Sequence, residues 1–132
     1  MPRVFASNPL DQPLEDEVGI EHVPNTPGRV RLPLRSQLLN PEGILQGALV
    51  GLLIESAAES LAGAEAVVEE MDLRYLAASK AGPIEARADW IDPPERSPGI
   101  AASMMRVVIR DLGQDGRLAA SAFVRIQRPT HI

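Results

Sequence analysis

The sequence predicts an α+β domain in which an antiparallel sheet packs on one long, segregated helix. Two observations carry that prediction. From Asn40 to Gly63 runs NPEGILQGALVGLLIESAAESLAG, an almost wholly apolar stretch that ends in glycine. After it the apolar period switches from helical to alternating, over segments separated by short turns. Runs of strands beside one segregated helix argue for α+β rather than for alternating βαβ units.

Taken in order, residues 1–28 are expected to form an N-terminal arm, extended or partly ordered, because prolines and the acidic run Leu14–Glu17 break any apolar pattern. Within it, Val18–Val23 suits a short strand or a helical turn, and Pro24-Asn25-Thr26-Pro27-Gly28 has turn composition. A single domain is expected over 29–132. It opens with Arg29–Arg35, where Val30, Leu32 and Leu34 share one face and Arg29, Arg31 and Arg35 the other; Pro33 puts this strand at an edge or on a bulge.

Asn40-Pro41-Glu42-Gly43 introduces the helix and Gly63 closes it. Four strands follow. Ala66–Leu76 alternates weakly, while Ile84–Trp90 turns Ile84, Ala86, Ala88 and Trp90 inward. Met104–Leu112 has Met105, Val107 and Ile109 on one face, and Arg117–Gln127 has Leu118, Ala120, Ala122, Val124 and Ile126 on its core face. Asp92–Gly99 reads as a loop and Asp111–Gly116 as a hairpin turn. A helix apolar on nearly all sides must be covered on nearly all sides; a curling sheet and a second subunit would do so together.

Composition narrows the function. A net charge of −5 speaks against a nucleic-acid partner, and with only Phe5, Tyr75, Trp90 and Phe123 as aromatics, base-stacking surfaces are scarce. The absence of cysteine excludes disulfides, thiolate zinc sites and a cysteine nucleophile. Neither GxGxxG, P-loop, GxSxG nor HExxH occurs, and His22 and His131 are too far apart in sequence to suggest a metal cluster, so neither metal nor resident cofactor is expected. The chain opens without an apolar signal segment, which makes a cytoplasmic location the expectation. Ile44–Ala62 has nearly the length of a membrane span, but Glu55 and Glu59 would be expensive at membrane depth, so no insertion is expected.

Glu55 is the feature that points to a site. A carboxylate buried in an oily helix costs several kcal/mol unless something compensates. It is expected either to open onto a pocket at a subunit boundary or to have a raised pKa suited to chemistry. Glu59, one turn later, reads as a solvated or interface charge, and Arg106, Arg110 and Arg125 as outward strand residues.

Four pieces of sequence resemble one family. Asn40-Pro41-Glu42-Gly43 fits a polar-x-x-Gly lead-in to a helix, and Leu45-Gln46-Gly47-Ala48 stands where that family has His-Gly-Gly. Glu55 falls where it has a catalytic Asp or Glu, and Met71-Asp72-Leu73-Arg74-Tyr75-Leu76 with Lys80-Ala81-Gly82 matches its following strand and turn. Over roughly residues 29 to 127 the chain resembles the hotdog-fold acyl-CoA thioesterases of the PaaI and 4-hydroxybenzoyl-CoA types. The resemblance implies a curved antiparallel sheet wrapped around one central helix. It also implies hydrolysis of an acyl-CoA, with CoA as part of the substrate.

By position, Glu55 would be general base or nucleophile, the Gly47 N–H would polarise the thioester carbonyl, and Asn40 would hold water or substrate. Lys80 and Arg74 would meet the coenzyme A phosphates. Gly47 and Glu55 lie ~12 Å apart along a helix axis, too far to share one thioester within a chain, and the family builds its site across a homodimer, sometimes a dimer of dimers. Two positions depart from the pattern: Gln46 replaces the usual His and Ala48 the second Gly. Gln46 donates a hydrogen bond but exchanges no proton near neutral pH, which keeps a non-catalytic binder of acyl-CoA or fatty acyl groups as the alternative. A hydratase or dehydratase would need the missing His. Each residue also has a structural reading: an interface pair for Glu55, close packing for Gly47, capping for Asn40 and a solvent-facing role for Gln46.

Overall fold

The structure, a computed structural model, describes residues 11–63, 65–92 and 102–127. Helix α1 spans Asp11–Val18, and strands β1 (Glu21–His22) and β2 (Arg29–Leu32) follow it. Helix α2 is Gly47–Ala62; then come β3 (Val67–Tyr75), β4 (Ile84–Asp92), β5 (Ala102–Asp111) and β6 (Arg117–Gln127). Short 3-10 turns occupy Ser36–Leu38 and Leu112–Gln114. All described pairings are antiparallel, in the order β1-β2-β4-β5-β6-β3, and α2 lies on the concave face of this curved sheet.

Period-two alternation decides which residues face α2. Cross-strand register lines them into rows: Val30, Ala86, Ile109, Ala120 and Tyr75 form one, and Ala88, Val107, Ala122 and Leu73 another. The alanines keep these rows low, so the helix comes close to the sheet. Val50, Leu53, Ile54, Ala57 and Ala58 at helical spacing fill the gap, all buried. At ~25 cal/mol per Å² of apolar surface removed from water, this interface is the main source of stability.

The turn before β2 is packed tightly against β4 at Gly28. Gly28 has φ +89°, its carbonyl accepts from Ala88 N–H at 2.7 Å, and a Cβ there would stand 2.9 Å from Ala88 O. Glycine is required on both counts.

The strands expected from the sequence are present, with β4 two residues longer and β2 shorter, stopped before Pro33. Most of the loop expected at Asp92–Gly99 lies outside the described residues. The arm over the first 28 residues, expected to be extended or partly ordered, carries α1 and β1 from residue 11, with β1 inside the stretch suited to a short strand or helical turn and with Val18 and Ile20 in the core. Arg35 holds α1 in place by donating from Nη2 to the carbonyls of Glu17 and Val18. Helix α2 starts at Gly47 rather than near Asn40, because Asn40–Gly43 closes a turn of its own.

A further change concerns Glu55, whose place in an apolar stretch suggests burial. It is exposed in the single chain. The sheet covers the face of α2 that carries Val50, Leu53, Ile54, Ala57 and Ala58, while the N-terminal segment covers Ser56 and Ser60: Ser56 Oγ donates to Glu15 Oε2 at 2.6 Å, and Ser60 Oγ accepts from Gly28 N–H at 2.9 Å. Ala48, Leu52, Glu55, Glu59 and Ala62 fall between these two covers and form the most open stripe of the helix. The stripe is hard to see in sequence because three of its five members are apolar.

Candidate active site at the start of helix α2

The lead-in to α2 is held by hydrogen bonds of one side chain and of the backbone. Asn40 Oδ1 accepts the N–H groups of Glu42 and Ile44, both at 3.0 Å, and Asn40 N–H donates to Ile44 O at 2.8 Å. Leu39 and Leu45 form an isolated antiparallel bridge. Leu45 N–H donates to Ser79 O at 2.8 Å, and Gln46 N–H to Leu38 O at 3.2 Å. These contacts aim the chain so that Gln46 becomes the N-cap with extended backbone and Gly47 the first helical residue. Gln46 makes no side-chain cap bond.

This arrangement leaves the first N–H groups of α2, at Gly47 and Ala48, without intrahelical carbonyls, at the positive end of a sixteen-residue helix. Gln46, Gly47 and Ala48 are all exposed. An oxyanion or carbonyl oxygen is the group such donors suit. Tyr75 borders the same point: its Oη donates to Gly47 O at 3.1 Å, and a Cβ on residue 47 would meet that oxygen at 3.1 Å. Gly47 therefore has a packing reason of its own.

Of the residues the sequence singled out, Asn40, Gln46 and Gly47 come together here. The Asn40 carboxamide oxygen is committed to its turn, so any further hydrogen bond from this side chain would be donated by its NH2 group. Glu55 lies two turns along the open stripe of the same helix, ~12 Å by axial rise, and does not join Gly47 within the chain. Lys80 is exposed on the loop whose Ser79 carbonyl holds Leu45, hence near the lead-in. Arg74 is not: it alternates with Tyr75, lies on the sheet face away from α2, and sits 3.8 Å from Asp72.

One buried carboxylate was missed. Asp111 has 0% exposure and ends the row Leu32, Ile84, Asp111. It accepts N–H groups from Lys80, Ala81, Gly82 and Gly113 and the side-chain amide of Gln114. Burial alone would push its pKa up, but the bonds from Ala81, Lys80, Gln114 and Gly82 outweigh it and bring the value from 3.8 to about 2. Asp111 thus pins the loop that carries Lys80 and, through Ser79, the start of α2. A visible signal existed, since Asp111 continues the inward alternation Met105, Val107, Ile109.

Among the described residues no group of three His, Asp or Glu side chains is placed to hold a metal, and no helix is long and apolar enough to cross a membrane. A shallow groove lined by Glu21, Arg31, Pro33, Leu34, Ala81, Gly82 and Pro83 contains none of the residues expected to act.

No protein-family model and no curated protein matches the chain. Solved structures do. The PaaI protein of E. coli, from the phenylacetic acid degradation operon, superposes with a TM-score of 0.73 at 19% identity, covering 90% of each chain. The TT0310 protein of Thermus thermophilus gives 0.74 at 23% identity, over 89% of this chain and 97% of that one. The smu.793 protein of Streptococcus mutans, solved with acetyl CoA bound, gives 0.70 at 17% identity, over 84% of this chain and 89% of that one. With the six-stranded antiparallel sheet curved around α2, these likenesses give the chain the hotdog fold, the one in which the PaaI protein is built.

Proposed function

We propose that the chain is an acyl-CoA thioesterase whose site is shared by two copies. The observation that carries this reading is the pairing of exposed helix-opening N–H groups at Gly47 with Glu55 on the open stripe of the same helix. The acetyl CoA bound to the S. mutans neighbour supports the ligand class. When two α2 helices lie antiparallel along their stripes, Glu55 of one approaches the helix start of the other, which removes the ~12 Å separation within a chain.

In the proposed reaction the thioester oxygen accepts from Gly47 N–H, and negative charge gathers there as the carbonyl carbon is attacked. Glu55 takes a proton from the attacking water, the C–S bond breaks, and the CoA thiolate leaves to be protonated. Direct attack by Glu55 would instead form an anhydride that water then opens. Asn40 and Gln46 donate hydrogen bonds to water or substrate, and Lys80 meets the CoA phosphates. Arg74, on the opposite sheet face, is given no such role.

The test is thiol release from a panel of acyl-CoAs by the wild type and Glu55→Ala. We expect turnover by the wild type and at least a ~100-fold loss in the variant. Equal rates would remove Glu55 from the mechanism, and no turnover of any acyl-CoA would sink the enzyme reading. Gln46, exposed where the family has His, favours a second reading, a binder of acyl-CoA without hydrolysis. Saturable binding with no thiol release would establish it.

A further inference from the structure

The face of the sheet turned away from α2 carries charge unevenly. Alternation puts Val30, Ala86, Val107 and Ile109 against the helix, so Arg29, Arg31, Arg87, Arg106 and Arg110 project from the other side of β2, β4 and β5. The register gathers them. Arg29 stands opposite Arg87, Glu85 lies between Arg31 and Arg110, and Asp89 stands opposite Arg106. Val108, opposite Arg87, is in their midst. By strand spacing and rise, the backbones of all five arginines lie within ~17 Å of one another.

Two acids share that surface, and both are already engaged. Glu85, with a side chain only 13% exposed, meets Arg31 Nε at 3.0 Å and Arg29 Nε at 3.9 Å, while Asp89 lies 3.4 Å from Arg87. Arg110 donates to Gly116 O at 3.0 Å. Arg106 has no acidic partner among the described residues. Folding alone gives no reason for this excess. Like charges directly opposite on a sheet face are destabilising, and Arg29 faces Arg87. Arg29 Nε is also buried without a hydrogen-bond acceptor, a cost that folded proteins rarely leave standing. All this lies on a chain of net charge −5, so the basic character is local.

We propose that this arginine patch docks an acidic protein segment, a helix that presents carboxylates one turn apart. Charge complementarity sets the class of partner. Guanidinium forks pair bidentately with carboxylates. Carboxylates at i and i+4 of a helix are ~6 Å apart, close to the ~7 Å between alternate strand residues such as Arg29 and Arg31. Nucleic acid fits less well, because Phe123 is the only aromatic side chain among the described residues on this face and the chain as a whole is acidic. An anionic bilayer likewise meets a chain of its own sign. The patch lies on the opposite side of the sheet from α2, so the docking is independent of the thioesterase reading.

The test is a fluorescence-anisotropy titration with a labelled Glu-Ala helical peptide whose glutamates recur at four-residue spacing, with backbone amide signals in NMR spectra locating the contact. Arg87→Glu, Arg106→Glu and Arg125→Glu change the net charge equally, but Arg125 lies beside Glu69 and Glu70, at 3.5 and 4.0 Å, away from the patch. We expect saturable binding that weakens as salt is raised, with amide shifts at Arg87, Arg106 and Val108. Affinity is expected to fall about tenfold in Arg87→Glu and Arg106→Glu and less than about twofold in Arg125→Glu. Arg87→Gln is expected to bind about threefold more weakly with its thermal midpoint within ~2 °C of wild type.

Equal losses in all three reversals would reduce the effect to diffuse charge and overturn the proposal. So would the absence of saturable peptide binding, or a large fall in the thermal midpoint of Arg87→Gln with affinity unchanged, which would assign the arginines to the fold. Tighter binding of a thymidine oligonucleotide, or of phosphatidylcholine vesicles containing phosphatidylserine, would replace the acidic helix by a phosphate-bearing partner. A changed oligomeric state of Arg106→Glu in sedimentation would make the face a contact between copies and equally sink the docking.

Discussion

Two carboxylates in this molecule sit in opposite settings. Asp111 has no solvent exposure, five hydrogen-bond donors around it and a pKa held near 2, and it organises a loop. Glu55 stands on the open stripe of α2. Sequence reasoning expects the reverse, since Glu55 is the acid surrounded by apolar letters. The contrast teaches that a buried carboxylate with a full set of donors marks architecture. The acid that the proposed reaction uses is instead an exposed one, on the most open stripe of α2.

The largest expected effect tests the exposed acid. Glu55→Gln, nearly isosteric but unable to take a proton, is expected to lower kcat by about 1,000-fold, or roughly 4 kcal/mol of barrier, with a much smaller change in stability. A variant that loses stability and keeps its rate would invert the comparison. Next comes the buried acid. Asp111→Ala leaves four buried or half-buried N–H groups and the Gln114 amide without their acceptor, and denaturant unfolding is expected to show a loss of roughly 3 kcal/mol. A loss below about 1 kcal/mol would mean that water replaces the carboxylate.

Acid titration sharpens the same point with the wild type. Because the folded pKa of Asp111 lies below its ordinary 3.8, its stabilisation is complete above that value and is lost as pH falls toward about 2. Stability measured against pH is expected to drop by about 2 kcal/mol across that window from this group, and Asp111→Asn is expected to flatten that part of the curve. An unchanged curve in the variant would assign the acid sensitivity elsewhere. The smallest effect comes from the neighbour of Glu55 on the covered side. Ser56→Ala removes the bond to Glu15 and is expected to cost about 1 kcal/mol in unfolding measurements while leaving kcat unchanged. A fall in kcat would show that the two sides of α2 are not independent.

The sheet was legible because its strands obey period two: Ile84, Ala86 and Ala88, and Met105, Val107 and Ile109, read as inward and are buried. The long helix was legible as apolar mass, but its start was not. Asn40 satisfies N–H groups through an Asx-type turn, which composition does not distinguish from a helix cap. Helix α1 escaped because it depends on distant partners, Arg35 at its end and Ser56 against Glu15. In the candidate site, Asn40, Gln46 and Gly47 were picked out through the family resemblance of their local motifs, and the fold brings them together at the start of α2. Tyr75 was not singled out because its contact with Gly47 spans 28 positions and exists only once β3 and α2 have packed.

The strand order has a consequence for solution behaviour. It leaves β3 at the rim of the sheet in the single chain, nine residues long, whereas the opposite rim is the two-residue β1. A rim of that length can recruit any extended peptide and seed aggregation. Here the strand carries Glu69, Glu70, Asp72 and Arg74, and its ladder is broken by a bulge between Val68 and Glu70. These charges act as gatekeepers: they repel acidic strands, and burying them against a neutral one costs desolvation. Replacing Glu69, Glu70 and Asp72 by neutral residues would therefore remove the strand's own guard against edge-to-edge pairing.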